Sequence, residues 1–348
     1  MGILNMSSLL CEVTAPTGLW ATIINWLESG IGNYAVVIIV LTLLIKVVLL
    51  PFDFFNKHLT RKNSRKQAAM KPELDKINKR YANNKQMLNQ KTMELYKREN
   101  FSLYGTCIGM LLYMVLTMVI FFTLFGALRE MSSFKIQQEF KTLQSTYNTA
   151  YTEAIDSYTG DETKKEENCV KIAQDAVVDK YGEIKTGFLW IKSIWRPDNW
   201  SSVVLDYKDY ISQTKTKDTE LTETEYNQII EPIATNDKYD GWNGYLILAV
   251  LTGLTSFGTT WVSALVARVR AKKKGQVYVK ESTQAMNFIL PLIMALFTLF
   301  YTASFGIYIL AGGIFTMITS PLVNILSDVI EDKSDKKKKD KKKVSYSR

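Results

Sequence analysis

Histidine is almost missing from this chain of 348 residues: His58 is the only one, and the three cysteines, Cys11, Cys107 and Cys169, show no metal-ligand spacing. A zinc site or a Cys/His catalytic pair therefore has no material to be built from. Missing as well are G-x-x-x-x-G-K-[ST], G-x-G-x-x-G, H-E-x-x-H and G-x-S-x-G, the motifs that cradle phosphates, hold zinc or aim a nucleophilic serine. The expectation is a protein that is not an enzyme and has no cofactor. No internal repeat is visible, which speaks against a transporter built from inverted halves. Residues 1–45 hold no Lys or Arg, so the basic start of a signal peptide is lacking. Cys11 follows Ser8, Leu9 and Leu10, without the small preceding residue that a lipidated cysteine normally has.

What the chain does have is long apolar runs. Its 47% hydrophobic and 22% charged residues are segregated into blocks. Five stretches, 33–52, 103–128, 243–265, 286–303 and 304–326, come near the ~20 residues a helix needs to cross a ~30 Å hydrocarbon core. The fold class expected is an all-α polytopic membrane protein with five transmembrane helices. A tight turn near Thr302 to Gly306 separates the last two.

Charge on the connecting segments orients the spans. Residues 53–102 carry 13 Lys or Arg against 5 acids, 266–285 carry 6 against 1, and 327–348 carry 9 against 5, whereas 129–240 carry 14 against 21. Basic segments stay on the cytoplasmic side. Segments 53–102, 266–285 and the Lys-rich tail 327–348 are therefore expected inside, and 1–32 and the acidic insert 129–242 outside. The formal charge of +9 is mostly a topology signal rather than a nucleic-acid footprint. A bacterial plasma membrane is the expected location, since the start of the chain lacks the Arg-rich look of a transit peptide.

Lys46 breaks the run TLLIKVVLLPF at 42–52. A full charge within hydrocarbon costs roughly 2.5 kcal/mol or more. It lies six residues from the end of its span, about 9 Å inside at ~1.5 Å per residue, so one reading is a lysine that snorkels to the headgroups. No Asp or Glu occurs in any of the five stretches, and Lys46 is their only Lys or Arg; the other reading is a charge that faces water or a visiting acid. Polar stripes offer walls for such a groove. They are Thr252, Ser256, Thr259, Thr260 and Ser263; Tyr308, Gly312 and Thr316 with Thr319 and Ser320; Tyr113 and Thr117; and Thr42, one turn before Lys46. Their three- and four-residue spacing places each stripe on one helical face. Taken singly, each stripe also fits simple helix packing, because small and hydroxyl residues let membrane helices approach closely.

The flanking segments carry weaker signals. Pro72 is placed to open a helix, and Leu74, Ile77 and Tyr81, then Leu88 and Leu95 across a turn at Asn83 and Asn84, predict a cytoplasmic helical hairpin with a thin apolar seam. In the insert, Ile136, Phe140, Leu143, Tyr147, Tyr151 and Ile155 follow helical spacing, and Thr222 with Glu225 makes a candidate capping box. Phe188, Trp190, Trp195 and Trp200 are spaced as interfacial aromatics. In GLWATIINWLE, Leu19, Trp20, Ile23, Ile24 and Leu27 predict an amphipathic helix that lies on the membrane or packs on a core. The tail DKKKKDKKK reads either as a phosphate-contacting arm or as a solvated, topology-fixing end.

NYAVVIIVLTLLIKVVLLPF, MKPELDKINKRYANNKQMLNQKTMELYKRENFSLYGTC, GFLWIKSIWRPDNW and GIYILAGGIFTMI resemble the YidC/Oxa/Alb family of membrane protein insertases, over about residues 18–128 and 186–322. The resemblance implies five helices around a hydrophilic groove open to cytoplasm and lipid, in which a basic residue of the first span attracts acidic residues of a substrate. That residue would be Lys46, with Thr42, Tyr113, Thr117, Thr252, Ser256, Tyr308, Gly312 and Thr316 lining the groove. The implied partners are nascent membrane proteins and the lipid bilayer, with a ribosome at the tail and the Sec translocon as further candidates. Two features depart from the family. Lysine stands where arginine is usual, which keeps the charge and loses the planar multi-donor head; Gly109, Tyr113 and Val115 stand where prolines and a glutamine are usual. A transporter or channel for a small polar or anionic solute would use the same groove and is the competing reading.

Overall fold

The computed structural model describes residues 15–99, 101, 103–216, 221–273 and 284–346; Cys11 and half of the basic segment 266–285 lie outside them. Among the described residues there are ten α-helices and no named strand: α1 Leu19–Ile31, α2 Tyr34–Arg80, α3 Lys85–Arg98, α4 Leu103–Asp156, α5 Lys165–Ile184, α6 Tyr207–Thr214, α7 Glu223–Ala234, α8 Ile247–Lys273, α9 Gln284–Phe300 and α10 Ala303–Tyr346. The protein is all-α, as its hydropathy blocks require. Four helical stretches are long and apolar enough to cross a membrane, Tyr34–Leu59, Leu111–Asp156, Ile247–Lys273 and Ala303–Ile330, and Pro291–Phe300 is a shorter apolar helix.

The helices run further than the apolar blocks. Pro72 does not open a helix: α2 continues through both Pro51 and Pro72 for 47 residues. Each proline removes one backbone hydrogen bond, a loss the helix bears between long uninterrupted flanks. In α4, 54 residues long, the uncharged stretch ends at Leu128, and the charged part from Arg129 onward belongs to the insert. The Lys-rich tail is helical as well, since α10 continues to Tyr346.

The chain divides into two compact units, and α2, α4, α8, α9 and α10 contribute to both. One comprises 1–42, 123–254 and 289–311; the other comprises 43–122, 255–288 and 312–348. In the first, α5 and α7 pack through Ala173, Val177 and Tyr181 and through Ile229, Ile230 and Ile233, all buried. Phe140 of α4 stacks on Tyr226 at 5.1 Å between ring centroids, and Tyr210 tilts onto the same ring at 4.9 Å. The expected capping box is formed: Thr222 and Glu225 satisfy each other's backbone N–H at the start of α7. Of the six residues at helical spacing on α4, Ile136, Phe140, Leu143 and Tyr147 are buried, while Tyr151 and Ile155 are half-buried.

Helix α1 buries Ala21, Ile24 and Leu27 and leaves Leu19 and Trp26 exposed, so it packs on its unit and still presents apolar side chains outward. The loop 186–206 corrects the aromatic expectation. Trp195 is buried at 4% exposure, whereas Trp200 is 56% exposed. This loop is stitched to the ends of three apolar helices. Ala303 N–H donates to Arg196 O, Ser304 N–H to Ile194 O, and the Asn199 amide to Leu299 O. The Asp198 carboxylate, fully buried, accepts from Leu248 N–H at 2.6 Å, Tyr245 N–H at 2.9 Å and Trp190 Nε1–H at 3.2 Å. A carboxylate at a helix N-terminus satisfies orphan amides and complements the dipole, which fixes where α8 begins.

In the second unit, the hairpin is built from the end of α2 and α3. Asn84 caps α3 by accepting from Met87 N–H at 3.0 Å. Met70, Leu95 and Phe101 form its small core, with Leu74, Ile77 and Tyr96 packed on it.

Candidate functional site

Lys46 lies on α2 in the second unit, half-buried, and among the described residues it makes no ion pair or hydrogen bond. Seven residues on is Asp53, one past the apolar run. At 3.6 residues per turn the two lie on one face, about 10.5 Å apart along the axis. Asp53 is already engaged: Lys57 Nζ pairs with its Oδ2 at 2.7 Å, and Tyr113 Oη donates to its Oδ1 at 3.3 Å. Lys57 also donates to Ser320 Oγ at 3.1 Å, and Ser263 Oγ lies 3.3 Å from Ser320 Oγ. A polar chain thus joins α4, α2, α10 and α8, and it balances one acid against one base. Lys46, two turns earlier on α2, adds a second positive charge that no ion pair among the described residues takes up.

Nearer the end of the unit, Arg270 donates to Asp328 Oδ2 at 2.9 Å and to Ile325 O at 3.0 Å. His58 Nδ1 and Ser327 Oγ share a hydrogen bond at 2.7 Å. Ser327 and Asp328 are buried, so α10 is latched to α2 and α8 where it leaves the apolar layer.

The other expected groove residues are distributed between the units. Lys46, Tyr113, Thr117, Ser256, Gly312 and Thr316 belong to the second; Thr42, Thr252 and Tyr308 belong to the first. Thr42 and Thr252 are buried at 1% and 0% exposure; Tyr308 is half-buried, its ring 6.1 Å from that of Phe305. Gly312 is buried, and Tyr113, Thr117, Ser256 and Thr316 are half-buried. Several of the hydroxyls on these helices serve their own helix. Thr42 donates to Ile38 O, Thr117 to Tyr113 O, Thr259 to Thr255 O and Thr316 to Gly312 O. Such back-bonding lets a hydroxyl sit in hydrocarbon without a second helix to pair with. The sequence reading passed over Asp53 and Lys57 because they lie beyond the apolar block; the available signal was an Asp and a Lys four residues apart at its edge.

Helices of membrane length, joined by charged helical segments and carrying no group of His, Cys, Asp and Glu fit for a metal among the described residues, define a polytopic helical membrane protein. The chain belongs to the 60Kd inner membrane protein family, which matches residues 26–328. It is 42% identical over 112 residues to the membrane protein insertase YidC of Fusobacterium nucleatum, a stretch covering 31% of this chain and 49% of that protein. It is 32% identical over 112 residues to the membrane protein insertase YidC of Caldanaerobacter subterraneus, covering 32% and 50%. To that of Thioalkalivibrio sulfidiphilus it is 29% identical over 102 residues, covering 29% and 18%. The match thus spans half or less of each relative's length. No solved structure matches the chain.

Proposed function

We propose that the protein inserts nascent membrane proteins into the lipid bilayer, with Lys46 attracting acidic residues in the polar segment that a substrate must move across. The observation that carries this reading is the placement of Lys46: a cation on a membrane-length helix, with no ion pair or hydrogen bond among the described residues, on the same face as an acid that is already paired with Lys57. A visiting carboxylate would offset the cost of holding that charge away from water. The substrate first meets the hairpin of α2 and α3, whose exposed face carries the ion pairs Arg98–Glu73 and Lys91–Glu94. Its polar end then approaches Lys46 through a hydrated path, which shortens the distance it must cross through hydrocarbon. Apolar partitioning of its membrane segment supplies the driving force. The names of the relatives support the activity, and the Lys-rich end of α10 suits a contact with ribosomal RNA phosphates.

The test is insertion of a small one-span substrate with an acidic tail into liposomes holding the purified protein. Lys46→Arg retains activity. Lys46→Ala and Lys46→Glu lower the rate roughly five- to tenfold or more, the factor that about 1–1.4 kcal/mol of lost attraction gives. Equal rates for all four proteins remove Lys46 from the mechanism, and solute flux without insertion replaces the reading with a channel.

A further inference from the structure

The first unit holds a partly open cavity of about 260 Å³, lined by Glu28, Tyr34, Lys135, Glu139, Thr142 and Trp195 among others. Nothing in the insertion mechanism uses it. Two of its wall residues carry buried polar atoms without a well-aligned hydrogen bond, Tyr34 Oη, which has Ser132 beside it, and Trp195 Nε1, which has Glu139 beside it, on rings 5.2 Å apart between centroids. Buried donors of this kind are rare, because leaving one unpaired costs free energy. The charges of the lining do not cancel. Lys135 Nζ is held by Glu28 at 2.6 Å, and Glu139, one turn further along α4, has no ion pair among the described residues. Burial holds the Glu139 carboxyl well above the usual carboxylate range, and the nearby Trp195 offsets this only in part.

We infer that this cavity binds a small organic ammonium bearing a neighbouring oxygen, with Glu139 taking the ammonium and Trp195 Nε1–H and Tyr34 Oη–H donating to the oxygen. Glu139 has no ion pair among the described residues, and one positive charge brought beside it would favour its ionised form. Two aromatic walls favour an organic ammonium over a metal ion, and the described residues include no group of carboxylates, cysteines and histidines able to hold a metal. A single water occupies about 30 Å³ of liquid, so the space admits a group the size of ethanolamine. The source is either the headgroup of phosphatidylethanolamine or a free amine. Tyr34 opens the first membrane-length helix, which sets the cavity at a membrane boundary where headgroups lie.

Calorimetric titration of the full chain in detergent micelles with ethanolamine and with phosphoethanolamine tests the free source. The unfolding temperature in nanodiscs of phosphatidylethanolamine against phosphatidylglycerol tests the lipid source. Saturable binding, or a higher unfolding temperature in the ethanolamine lipid, is expected in the wild type and in Glu153→Gln, an exposed control. Glu139→Gln is expected to weaken it roughly 10- to 100-fold, the scale of one charge-assisted contact. Trp195→Phe, which keeps a ring and removes the Nε1 donor, weakens it too and serves alone if Glu139→Gln does not fold. Response to the lipid only identifies a headgroup site, and response to both identifies a general amine site. No response to either source, or binding that survives Glu139→Gln or Trp195→Phe, overturns the inference.

Discussion

Lys57 takes up the charge of Asp53 at 2.7 Å, and this pairing leaves Lys46, two turns earlier on the same helix, as the net charge of the cluster. The side chains of the pair are 24% and 22% exposed, so neutralising Asp53 costs only about 1 kcal/mol of stability, partly because Lys57 keeps its bond to Ser320. The functional effect is larger. If attraction of an acidic tail is what Lys46 contributes, Asp53→Asn frees Lys57 to supply a substitute charge. The double variant Lys46→Ala with Asp53→Asn should then insert substrate several times faster than Lys46→Ala alone, while the same change adds little to the wild type. Equal rates for the single and double variants would show that position, not charge, matters at Lys46. A second residue-scale outcome concerns Asp198. Its removal leaves Leu248 N–H, Tyr245 N–H and Trp190 Nε1–H unpaired, and Asp198→Ala is expected to cost about 3 kcal/mol, read as a lower unfolding temperature in detergent. Gly244→Ala acts in the same direction, since an added Cβ would overlap the Asp198 carboxylate.

At the scale of elements, the hairpin rests on a small core. Its core is Met70, Leu95 and Phe101 with three partly buried neighbours, and two antiparallel helices with so thin a seam open easily. Leu95→Ala should therefore remove about 2–4 kcal/mol, which is enough to unfold α3 locally while the apolar helices stay intact. Limited proteolysis between Tyr81 and Arg98 measures this, with Asn84→Ala as a milder variant that costs about 1 kcal/mol through the lost cap. The start of the first hairpin arm, expected at Pro72, is not legible in the sequence for a physical reason. Proline is favoured at helix starts, yet it is also tolerated inside a long helix whose flanks are already formed, and Pro72 is of the second kind. In α4, likewise, the change from apolar to charged residues at Arg129 marked a boundary of solvent and not of helix, because backbone hydrogen bonding continues across it.

On the scale of the whole molecule, the charge pattern predicts that segments 53–102 and 327–348 face the cytoplasm and 129–242 the opposite side. Protease added to spheroplasts should cut near Tyr158 to Lys164, an exposed stretch around a 3₁₀ turn, and spare the turn at Tyr81 to Asn84; the reverse pattern would invert the topology. The sequence by itself determined the apolar helices, the helical insert and the sign of each connecting segment, because hydropathy and charge are local properties that the membrane reads segment by segment. Tertiary structure alone decided which polar side chains meet. Asp53 found Lys57 and Ser320, and Asp198 found the start of α8. Trp195 turned inward, and Thr42 and Thr252 were buried. These outcomes depend on which helix faces come together, and a single chain's periodicity gives each face but not its neighbour.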